Sequence, residues 1–540
     1  MGFRRLVLCC LSLCASWTGG SAAAAQEDRL HVLFLGDRGH HQPEARLHQV
    51  YGELGRARIA VDYQERVEAL VPERLALYDV VMVYANHLEI APAQEQALLA
   101  WVNAGGGLFA VHSASACFPG SQVWGELVGA RFASHGGEVF TQRVVDDGHP
   151  VTEGWQPFTC WDETYVHSEH REEGRRVLTM REEEPWTWVR AQGEGRVIYT
   201  ASGHDARAWS QPGFVELLIR GTVWAAGDEA AARWRAAGEL PTLRYRDEDT
   251  VPNYERRDPK PQYQLPLDVA DAQRHLQVAA GFRVELFASE PDITNPIAMC
   301  WDERGRLWVL ESIDYPNQVN DDGRGRDRIV ICTDTDEDGR ADDFTVFAEG
   351  LNVPTAITRW KDGVIVAQAP DVLYFADDDG DDRADRRELL FTGFGRGDTH
   401  AGPSSFTFGP DGWIYGAVGY SAFSGEVGGE AVQLTMGVYR FRPDGSALQP
   451  VGRFTNNTWG FGFDSRGELY GSTANGAPSF HIGLPQHQLR ALHPMGTGAQ
   501  PVAGFSQLHH LSPYLRQVDV FGGYTAAAGH QFTASGTLPP

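Results

Sequence analysis

In the first half of the chain, runs of consecutive apolar residues alternate with stretches whose apolar residues recur every three or four positions. The run HVLFLG, from His31, precedes the amphipathic stretch PEARLHQVYGELG, and the run DVVMVYA, from Asp79, precedes APAQEQALLAWVNAG. Continuous apolar runs are typical of strands buried on both faces, and the period between them indicates helices. Residues 28–228 are therefore predicted to form an α/β domain around a parallel sheet.

From Gly281 onward the pattern changes to a repeated pair of short alternating strands joined by a turn that contains glycine. The repeats begin at Pro296, Pro354, Pro403 and Thr458, and their turn glycines are Gly305, Gly363, Gly412 and Gly467. A β-rich repeat of about 50 residues is typical of propeller blades. Residues 281–540 are predicted to form an all-β propeller, six-bladed in a longer chain and cut off at its C-terminus here. The charged, proline-rich residues 229–280 are predicted to be a linker.

The N-terminus has two arginines, an apolar run from Leu6 to Trp17 and small residues up to Ala25. This is the layout of a secretory signal peptide, and the apolar run is too short to span a bilayer. We expect residues 1–25 to be removed on export to the periplasm or the extracellular space, with a retained anchor as the alternative. No later segment of the sequence is long and apolar enough to cross a membrane.

Charge and cysteine content exclude some functions. The formal net charge of −26 repels a phosphate backbone, so nucleic acid is not an expected partner. Two cysteines follow the signal in each half, which leaves room for one disulfide per half; they are Cys117, Cys160, Cys300 and Cys332. There is no C-x-x-C-H motif and hence no site for covalent c-type haem in this chain.

Polar residues stand where the predicted strands end. The first strand runs into GDRGHHQP, the strand LFAVH ends at His112, and GRVIYTASGHD ends near His204. In α/β proteins, ligands bind beyond the carboxyl ends of parallel strands. Imidazoles and carboxylates gathered there predict a site for a divalent metal ion or for a polar ligand such as a sugar, unless they only cap helices and bond loop carbonyls. The candidate ligand-binding residues are His40, His41, His112, His135, Asp162, Glu163, His204 and Asp205.

Six motifs together carry a family resemblance over nearly the whole α/β domain. They are NAGGGLFAVHSA, LVGARFASH, HPVTEGW, DETY, GEGRVIYTASGHD and LIRGTVWAAGD. The domain resembles the trehalose-utilisation (ThuA-like) family, which implies a flavodoxin-like, class I glutamine-amidotransferase-like fold and carbohydrate-related work. Amidotransferases place a nucleophilic cysteine after the central strand, where this chain has His112, with Cys117 several residues later. Without a thiolate at that position, glutaminase activity is not expected.

Two acidic loops repeat between the predicted blades, in VICTDTDEDGRADDFTVF and LYFADDDGDDRADRRELL. Their carboxylates recur at positions one, three, five and nine, as in a calcium-binding loop, but neither loop matches that pattern fully. The alternative is a pair of polar hairpin tips stabilised by aspartate. The candidate calcium ligands are Asp334, Asp336, Asp338, Asp342, Asp377, Asp379, Asp381, Asp385 and Glu388.

The stretch DTHAGPSSFTFGPDGWIYGAVG, which begins at Asp398, resembles the soluble quinoprotein sugar dehydrogenases. Those proteins are six-bladed propellers that use pyrroloquinoline quinone and calcium. The resemblance implies that His400 is the base that takes a hydroxyl proton and that Asp398 orients it. The family usually continues into Gly-Asp, whereas this chain has Gly419 followed by Tyr420. The alternative role for His400 is a structural one in the channel of a non-catalytic propeller.

The order of the two halves resembles the front part of large exported multidomain proteins described as membrane-bound dehydrogenases. The leading hypothesis is an exported carbohydrate-active protein whose propeller oxidises a sugar hydroxyl with a quinone cofactor. The alternative is a non-catalytic carbohydrate-binding or scaffolding protein. Either way, the expected partner is a carbohydrate or polyol, and the sequence gives no oligomeric state.

Overall fold

A computed structural model of the chain describes most of the residues after the N-terminal segment. The described residues are 28–247, 262–454, 456–474, 479–483 and 499–502. The predicted signal peptide, residues 1–25, lies outside them. Among the described residues, no helix is long and apolar enough to cross a membrane.

The chain folds into two compact units, an α/β unit and a β unit. The α/β unit comprises Met1–Leu243 and Leu267–Val284, and the β unit comprises Arg244–Pro266 and Glu285–Pro540. The boundary therefore differs from the linker expected over residues 229–280, because the end of that segment folds back onto the α/β unit. Ala280 is buried in its core there, and the side chain of Arg29 donates to the carbonyl of Arg274 at 2.6 Å.

The α/β unit is built from strands and helices that alternate over its first half. Its strands are β1 (Leu30–Leu35), β2 (Ile59–Gln64), β3 (Val80–Val83), β4 (Gly107–Val111), β5 (Arg131–Thr141), β6 (Arg143–Val144), β7 (Thr159–Ser168), β8 (Arg175–Arg181), β9 (Glu184–Gln192) and β10 (Gly195–Thr200). Its helices are α1 (Pro43–Arg56), α2 (Pro72–Leu75), α3 (Pro92–Asn103), α4 (Gln122–Val128), α5 (Ala206–Trp209), α6 (Pro212–Ala225), α7 (Gly227–Ala236) and α8 (Val269–His275).

The main sheet has the strand order β2-β1-β3-β4-β10-β9-β8-β6. The first five of these strands are parallel, whereas β9, β8 and β6 continue the sheet in antiparallel fashion. Side chains of β1 alternate between two apolar cores, one shared with α1, α6 and α7 and the other with α2, α3 and α4. The helices thus cover both faces, as the continuous apolar strands predicted, and the flavodoxin-like fold class is confirmed. Strands β5 and β7 pair separately as a two-stranded antiparallel ribbon.

The β unit contains four successive antiparallel sheets of four strands each within the described residues. The first two blades are β13 (Pro296–Trp301), β14 (Leu307–Glu311), β15 (Asp327–Thr333) and β16 (Asp343–Leu351), then β17 (Ala356–Trp360), β18 (Gly363–Gln368), β19 (Asp371–Ala376) and β20 (Arg386–Thr392). The next two are β21 (Pro403–Phe408), β22 (Ile414–Val418), β25 (Gly437–Phe441) and β26 (Leu448–Arg453), then β27 (Thr458–Phe463), β28 (Leu469–Thr473), β29 (Phe480–Ile482) and β30 (Ala499–Pro501). A hairpin of β23 (Phe423–Val427) and β24 (Glu430–Leu434) is inserted into the third blade, and β11 (Tyr245–Asp247) pairs with β12 (Gln262–Gln264).

The first strands of successive blades lie beside one another, which confirms the propeller arrangement of these sheets. In an antiparallel blade, the connection from the second to the third strand and the connection to the next blade lie at the same end. We call that end of the described blades the open end. The connections from first to second and from third to fourth strands lie at the other end, which we call the hairpin end.

Two details differ from the sequence expectations. Gly363 is the first residue of β18 rather than the turn residue, and the left-handed position before it belongs to Lys361, at φ 47°. The disulfides that the sequence allowed are not formed, since all four cysteines are free. Cys300 and Cys332 lie on β13 and β15 with β14 between them. Strands separated in this way are about 10 Å apart, beyond the reach of a disulfide.

Candidate metal and ligand site

Three histidines stand at the carboxyl edge of the parallel part of the main sheet. His41 follows β1, His112 follows β4 and His204 follows β10, and these strands run in the same direction. Glu163 reaches the same place from β7 of the two-stranded ribbon. Parallel strands therefore bring together residues that are far apart in the sequence.

The four side chains form one compact cluster. One ligand atom from each of His41, His112, Glu163 and His204 lies within 4.8 Å of all the others. Glu163 Oε2 is 3.3 Å from His112 Nε2 and 3.1 Å from His204 Nδ1. The cluster is largely closed to solvent, since the side chain of His112 is fully buried and that of Glu163 is 11 % exposed.

The hydrogen bonding of His112 fixes which nitrogen faces the cluster. Its Nδ1 lies 2.7 Å from the carbonyl oxygen of Ala201, which can only accept, so Nδ1 carries the proton. In the neutral ring, Nε2 then directs a lone pair toward Glu163. His112 Nε2, His41 Nε2 and His204 Nδ1 are all buried and make no hydrogen bond of good geometry among the described residues; the first and the last lie at ion-pair distance from Glu163 Oε2. Such groups are rare in folded proteins, where a strained or catalytic position, a water or an ion accounts for them.

The local electrostatics favour neutral His41 and His204 and an ionised Glu163. Burial and the neighbouring histidines lower the pKa of His41 to about 2. Burial also lowers the pKa of His204, against the opposing effect of Glu163. For Glu163, burial acts to raise the pKa, but the facing imidazoles outweigh it and hold the pKa below its usual value. These are the protonation states that metal ligands require.

Buried polar and aromatic groups hold the turn that carries His204. The Asp162 carboxylate accepts the backbone N–H groups of Gly203 at 2.9 Å and His204 at 3.0 Å. The hydroxyl of Tyr84, at the end of β3, donates to the carbonyls of the same two residues at 2.7 and 2.9 Å. Asp162 therefore orients the site instead of facing its ligand, and burial raises the pKa of its carboxyl group.

The remaining candidates of the sequence analysis lie around the cluster or turn away from it. His135 Nδ1 is 3.3 Å from Glu163 Oε1, and its side chain is 45 % exposed. The exposed ring of His40 lies against His41 at 3.9 Å between centroids. Asp205 caps α5 and binds the guanidinium of Arg207, so it does not join the cluster.

Two aromatic residues near the cluster were missed by the sequence reasoning. The ring of Tyr165 stacks on His112 with centroids 4.1 Å apart, and Trp161 lies 5.8 Å from His204. The guanidinium of Arg207 lies 3.8 Å from the Trp161 ring centroid. Both aromatics are on β7, where Trp161 directly precedes the motif Asp-Glu-Thr-Tyr and Tyr165 is its last residue. Side chains alternate between the two faces of a strand, so both share a face with Glu163, and this alternation was the available signal.

The elbow position of the amidotransferase-like fold is occupied by His112 rather than by a thiol. His112 has a left-handed backbone conformation, with φ 45°, directly after β4. Cys117 is fully buried, donates from Sγ to the carbonyl of Ala85 at 2.8 Å, and has its pKa raised by burial. A buried, protonated thiol is unsuited to acyl transfer.

The two acidic loops lie at the hairpin end of the first two blades, between β15 and β16 and between β19 and β20. The structure gathers two groups of three carboxylates, Asp334, Asp336 and Asp338 and then Asp377, Asp379 and Asp385. Three predicted ligands lie outside these groups. Asp342 accepts a hydrogen bond from the hydroxyl of Thr335, Asp381 accepts one from the backbone N–H of Arg383, and Glu388 pairs with Arg386. The loops thus lie at the opposite end of the blades from His400.

His400 lies on the connection between the second and third blades, at the open end. Its Nδ1 is 3.3 Å from Asp398 Oδ1, and 59 % of its side chain is exposed. The ring of Tyr315, on the loop between β14 and β15, lies 5.3 Å away. Thr399 joins the two loops by donating to the carbonyl of Pro316 at 2.9 Å. His400 and Asp398 are therefore together as expected, on a well-anchored exposed surface.

Comparison with protein families gives two matches, one in each half. Residues 31–225 match the family described as "Trehalose utilisation", and residues 268–540 match "Domain of unknown function (DUF7133)". No curated protein matches the chain.

Among solved structures, a ThuA-like protein from Bacteroides uniformis is 18 % identical, with a TM-score of 0.32, over 37 % of this chain and 95 % of that one. One from Parabacteroides merdae is 20 % identical, with a TM-score of 0.32, over 37 % and 90 %. The pyrroloquinoline quinone domain of pyranose dehydrogenase from Coprinopsis cinerea is 18 % identical, with a TM-score of 0.27, over 37 % and 50 %.

Proposed function

The chain belongs to the family described as "Domain of unknown function (DUF7133)" and carries a trehalose-utilisation domain ahead of it, and we propose that it is an exported, metal-dependent, carbohydrate-active enzyme. The reacting site is the cluster in the α/β unit. The observation that carries the proposal is that three buried imidazole nitrogens without hydrogen-bond partners and one carboxylate converge within 4.8 Å. Export is supported by the signal-like first 25 residues of the sequence.

The donor set selects the class of metal. Three imidazole nitrogens and one carboxylate favour a divalent first-row transition ion such as zinc over calcium or magnesium, which prefer oxygen ligands. With metal–ligand bonds of about 2.0–2.1 Å, neighbouring ligand atoms of a tetrahedral site are about 3.4 Å apart. The separations of Glu163 Oε2 from the nitrogens of His112 and His204, 3.3 and 3.1 Å, suit that geometry.

The chemistry follows from what surrounds the four ligands. A bound divalent ion that expands from four ligands to five would accept a hydroxyl or carbonyl oxygen of the sugar and supply Lewis acidity toward it. The partly exposed His135, beside Glu163 Oε1, is placed to pass a proton between such a ligand and solvent. Trp161 lies beside His204, and its indole offers an apolar surface for a sugar ring. The carbohydrate class is supported by the family description of residues 31–225.

Metal content and sugar binding test this proposal together. We expect the purified full chain to hold about one transition-metal ion in the α/β unit, and His112→Ala to lose it together with trehalose binding in calorimetry. His87→Ala is the matched control, because His87 lies at the same sheet edge and bonds the Gly36 carbonyl outside the cluster. Equal metal content in the parent and in His112→Ala would contradict the proposal.

The second candidate function belongs to the open end of the blades, where the resemblance to quinoproteins implies sugar oxidation at His400. Pyrroloquinoline quinone is a tricarboxylate and needs an excess of cationic groups. The two loops around His400 carry Asp314, Asp321, Asp322 and Asp398 against Arg324, Arg326 and Arg396. Arg326 is paired with Asp314 at 2.7 Å, and Arg396 lies 3.7 Å from Asp321.

These described residues lack the excess of positive charge that the tricarboxylate quinone needs, so no oxidation step is derived through it. They suit a neutral polyol better, because carboxylates accept its hydroxyl groups and the half-buried ring of Tyr315 and the exposed ring of His400 offer apolar contact. The proposed role of this end is therefore carbohydrate binding without turnover.

Binding at the open end is tested in the His112→Ala background, which disables the α/β site. Glucose binding measured by calorimetry should persist there, weaken at least tenfold with Tyr315→Ala, and stay unchanged with Tyr245→Ala, an exposed tyrosine on β11. Dye reduction that needs pyrroloquinoline quinone, calcium and His400 would contradict this role and assign oxidation instead.

Calcium binding at the hairpin end is proposed as a structural role for the acidic loops. It is supported by the two groups of three carboxylates, whose mutual repulsion a cation relieves. It is opposed by the hydrogen bonds that Asp334 accepts from Gly339 and Asp338, which also stabilise a hairpin tip. Since a ligand of the folded state alone raises stability, thermal unfolding distinguishes the two roles.

We expect calcium to raise the melting temperature of the β unit and a chelator to lower it. Replacing Asp377 and Asp379 by asparagine should shrink this response, because both belong to one carboxylate group. Asp381→Asn, in the same loop but outside the group, should leave the response intact. Identical melting curves in calcium and in chelator would leave the loops as plain hairpin tips.

A further inference from the structure

The strand β10 holds His112 at two points. The carbonyl of Ala201, just after β10, accepts the proton of His112 Nδ1 at 2.7 Å. Two residues earlier, the hydroxyl of Tyr199 donates to the backbone carbonyl of His112 at 3.0 Å. Positions 199 and 201 are two residues apart on an extended segment, so both reach the same neighbour at the end of β4. One contact orients the ring of His112 and the other fixes its backbone.

The Tyr199 hydroxyl is itself held in a buried network. Its oxygen lies 2.9 Å from His167 Nε2, and His167 Nδ1 lies 2.8 Å from Glu184 Oε1. The single phenol proton goes to the His112 carbonyl only when His167 Nε2 donates to the phenol oxygen, that is, when His167 carries a proton on both nitrogens and pairs with Glu184. Ser115 lies 3.1 Å from the same hydroxyl and donates to the His112 carbonyl at 3.2 Å. The ring of Tyr199 packs on Trp188 with centroids 4.4 Å apart. The phenol therefore has little freedom to leave the carbonyl that it holds.

The backbone of His112 needs such support. Its φ of 45° is a conformation that residues with a β-carbon adopt at a cost, and it persists only where surrounding contacts impose it. If the backbone relaxed to a negative φ, the ring would rotate away from Glu163 and His204. The strained conformation is thus what directs Nε2 into the cluster.

We propose that Tyr199 is a positioning residue for the metal site, whose hydroxyl holds the His112 carbonyl and so keeps His112 Nε2 directed at Glu163. This inference deepens the proposed function and, in its metal-binding part, rests on it. Tyr199 is fully buried, and its hydroxyl contacts none of the donor atoms of the cluster. It acts through the backbone of His112.

The variant Tyr199→Phe removes the hydroxyl and keeps the ring. Its crystal structure should show His112 outside the left-handed region or Nε2 displaced from Glu163. Affinity for Co²⁺, measured by titration against a chelator, should fall by about tenfold or more, as is typical when a group that supports a metal ligand is lost. The visible absorption bands of bound Co²⁺ should change shape, because they report ligand geometry.

Tyr78→Phe is the matched control. It also removes a buried phenol hydroxyl, bonded to Asp62 Oδ2 at 2.8 Å, and should lower stability without changing Co²⁺ affinity or spectrum. Glu184→Gln is a second variant in case Tyr199→Phe does not fold; it loosens His167 and should weaken Co²⁺ binding in the same direction by a smaller factor.

The outcomes separate this inference from the proposed function. A parent protein that binds no Co²⁺ overturns the metal proposal, and the structure of Tyr199→Phe then decides on positioning alone. An unchanged φ and Nε2 position at His112 in that structure overturns the positioning role. The positioning role is also overturned if Tyr199→Phe and Glu184→Gln both bind Co²⁺ with the affinity of the parent protein.

Discussion

Three imidazole nitrogens and one carboxylate share a buried space at the carboxyl edge of the α/β sheet, and the local structure depends on how that charge arrangement is balanced. A buried polar group without a partner costs about 1–3 kcal/mol. A metal ion converts each of these contacts into a bond, and structural zinc sites bind with about 10–16 kcal/mol. The free energy gained by binding a metal ion is much larger than the cost of the unpartnered buried groups. A cation is therefore the physically consistent occupant of the cluster.

The fold supplies the precision that such a site needs. Parallel strands place His41, His112 and His204 at one edge of the sheet. Tyr84 and Asp162 hold the backbone at His204, and Tyr199 holds that of His112. In the amidotransferase-like fold, the sharp turn after the central strand presents a nucleophile. Here the same strained turn presents an imidazole, which in the proposed site is a metal ligand in place of a nucleophile.

Much of this arrangement could be predicted from the sequence, because parallel strands bring their carboxyl ends together whatever the loops do. That rule alone selected the three histidines, and the repeat of short strands with turn glycines selected the propeller.

The rule about strand ends could not separate Glu163 from Asp162, since neighbouring residues on a strand point to opposite sides and only the packed ribbon decides which faces the cluster. Asp205 lies outside the cluster because a short carboxylate beside a helix start bonds the backbone of that helix and Arg207. Glu388 lies outside its carboxylate group for a similar reason, since Arg386 is two residues away on the same face of β20. The role of Tyr199 had no local signal, since its partners are 32 to 87 residues distant in sequence.

The central claim is that a transition-metal ion joins His41, His112, His204 and Glu163. Anomalous X-ray scattering from crystals of the full chain, collected on both sides of the absorption edge of the metal found in the purified protein, tests it most directly. The account predicts one strong anomalous peak about 2.0–2.2 Å from all four ligand atoms. Electron density at that position without an anomalous signal, or an anomalous peak elsewhere in the α/β unit, would contradict it.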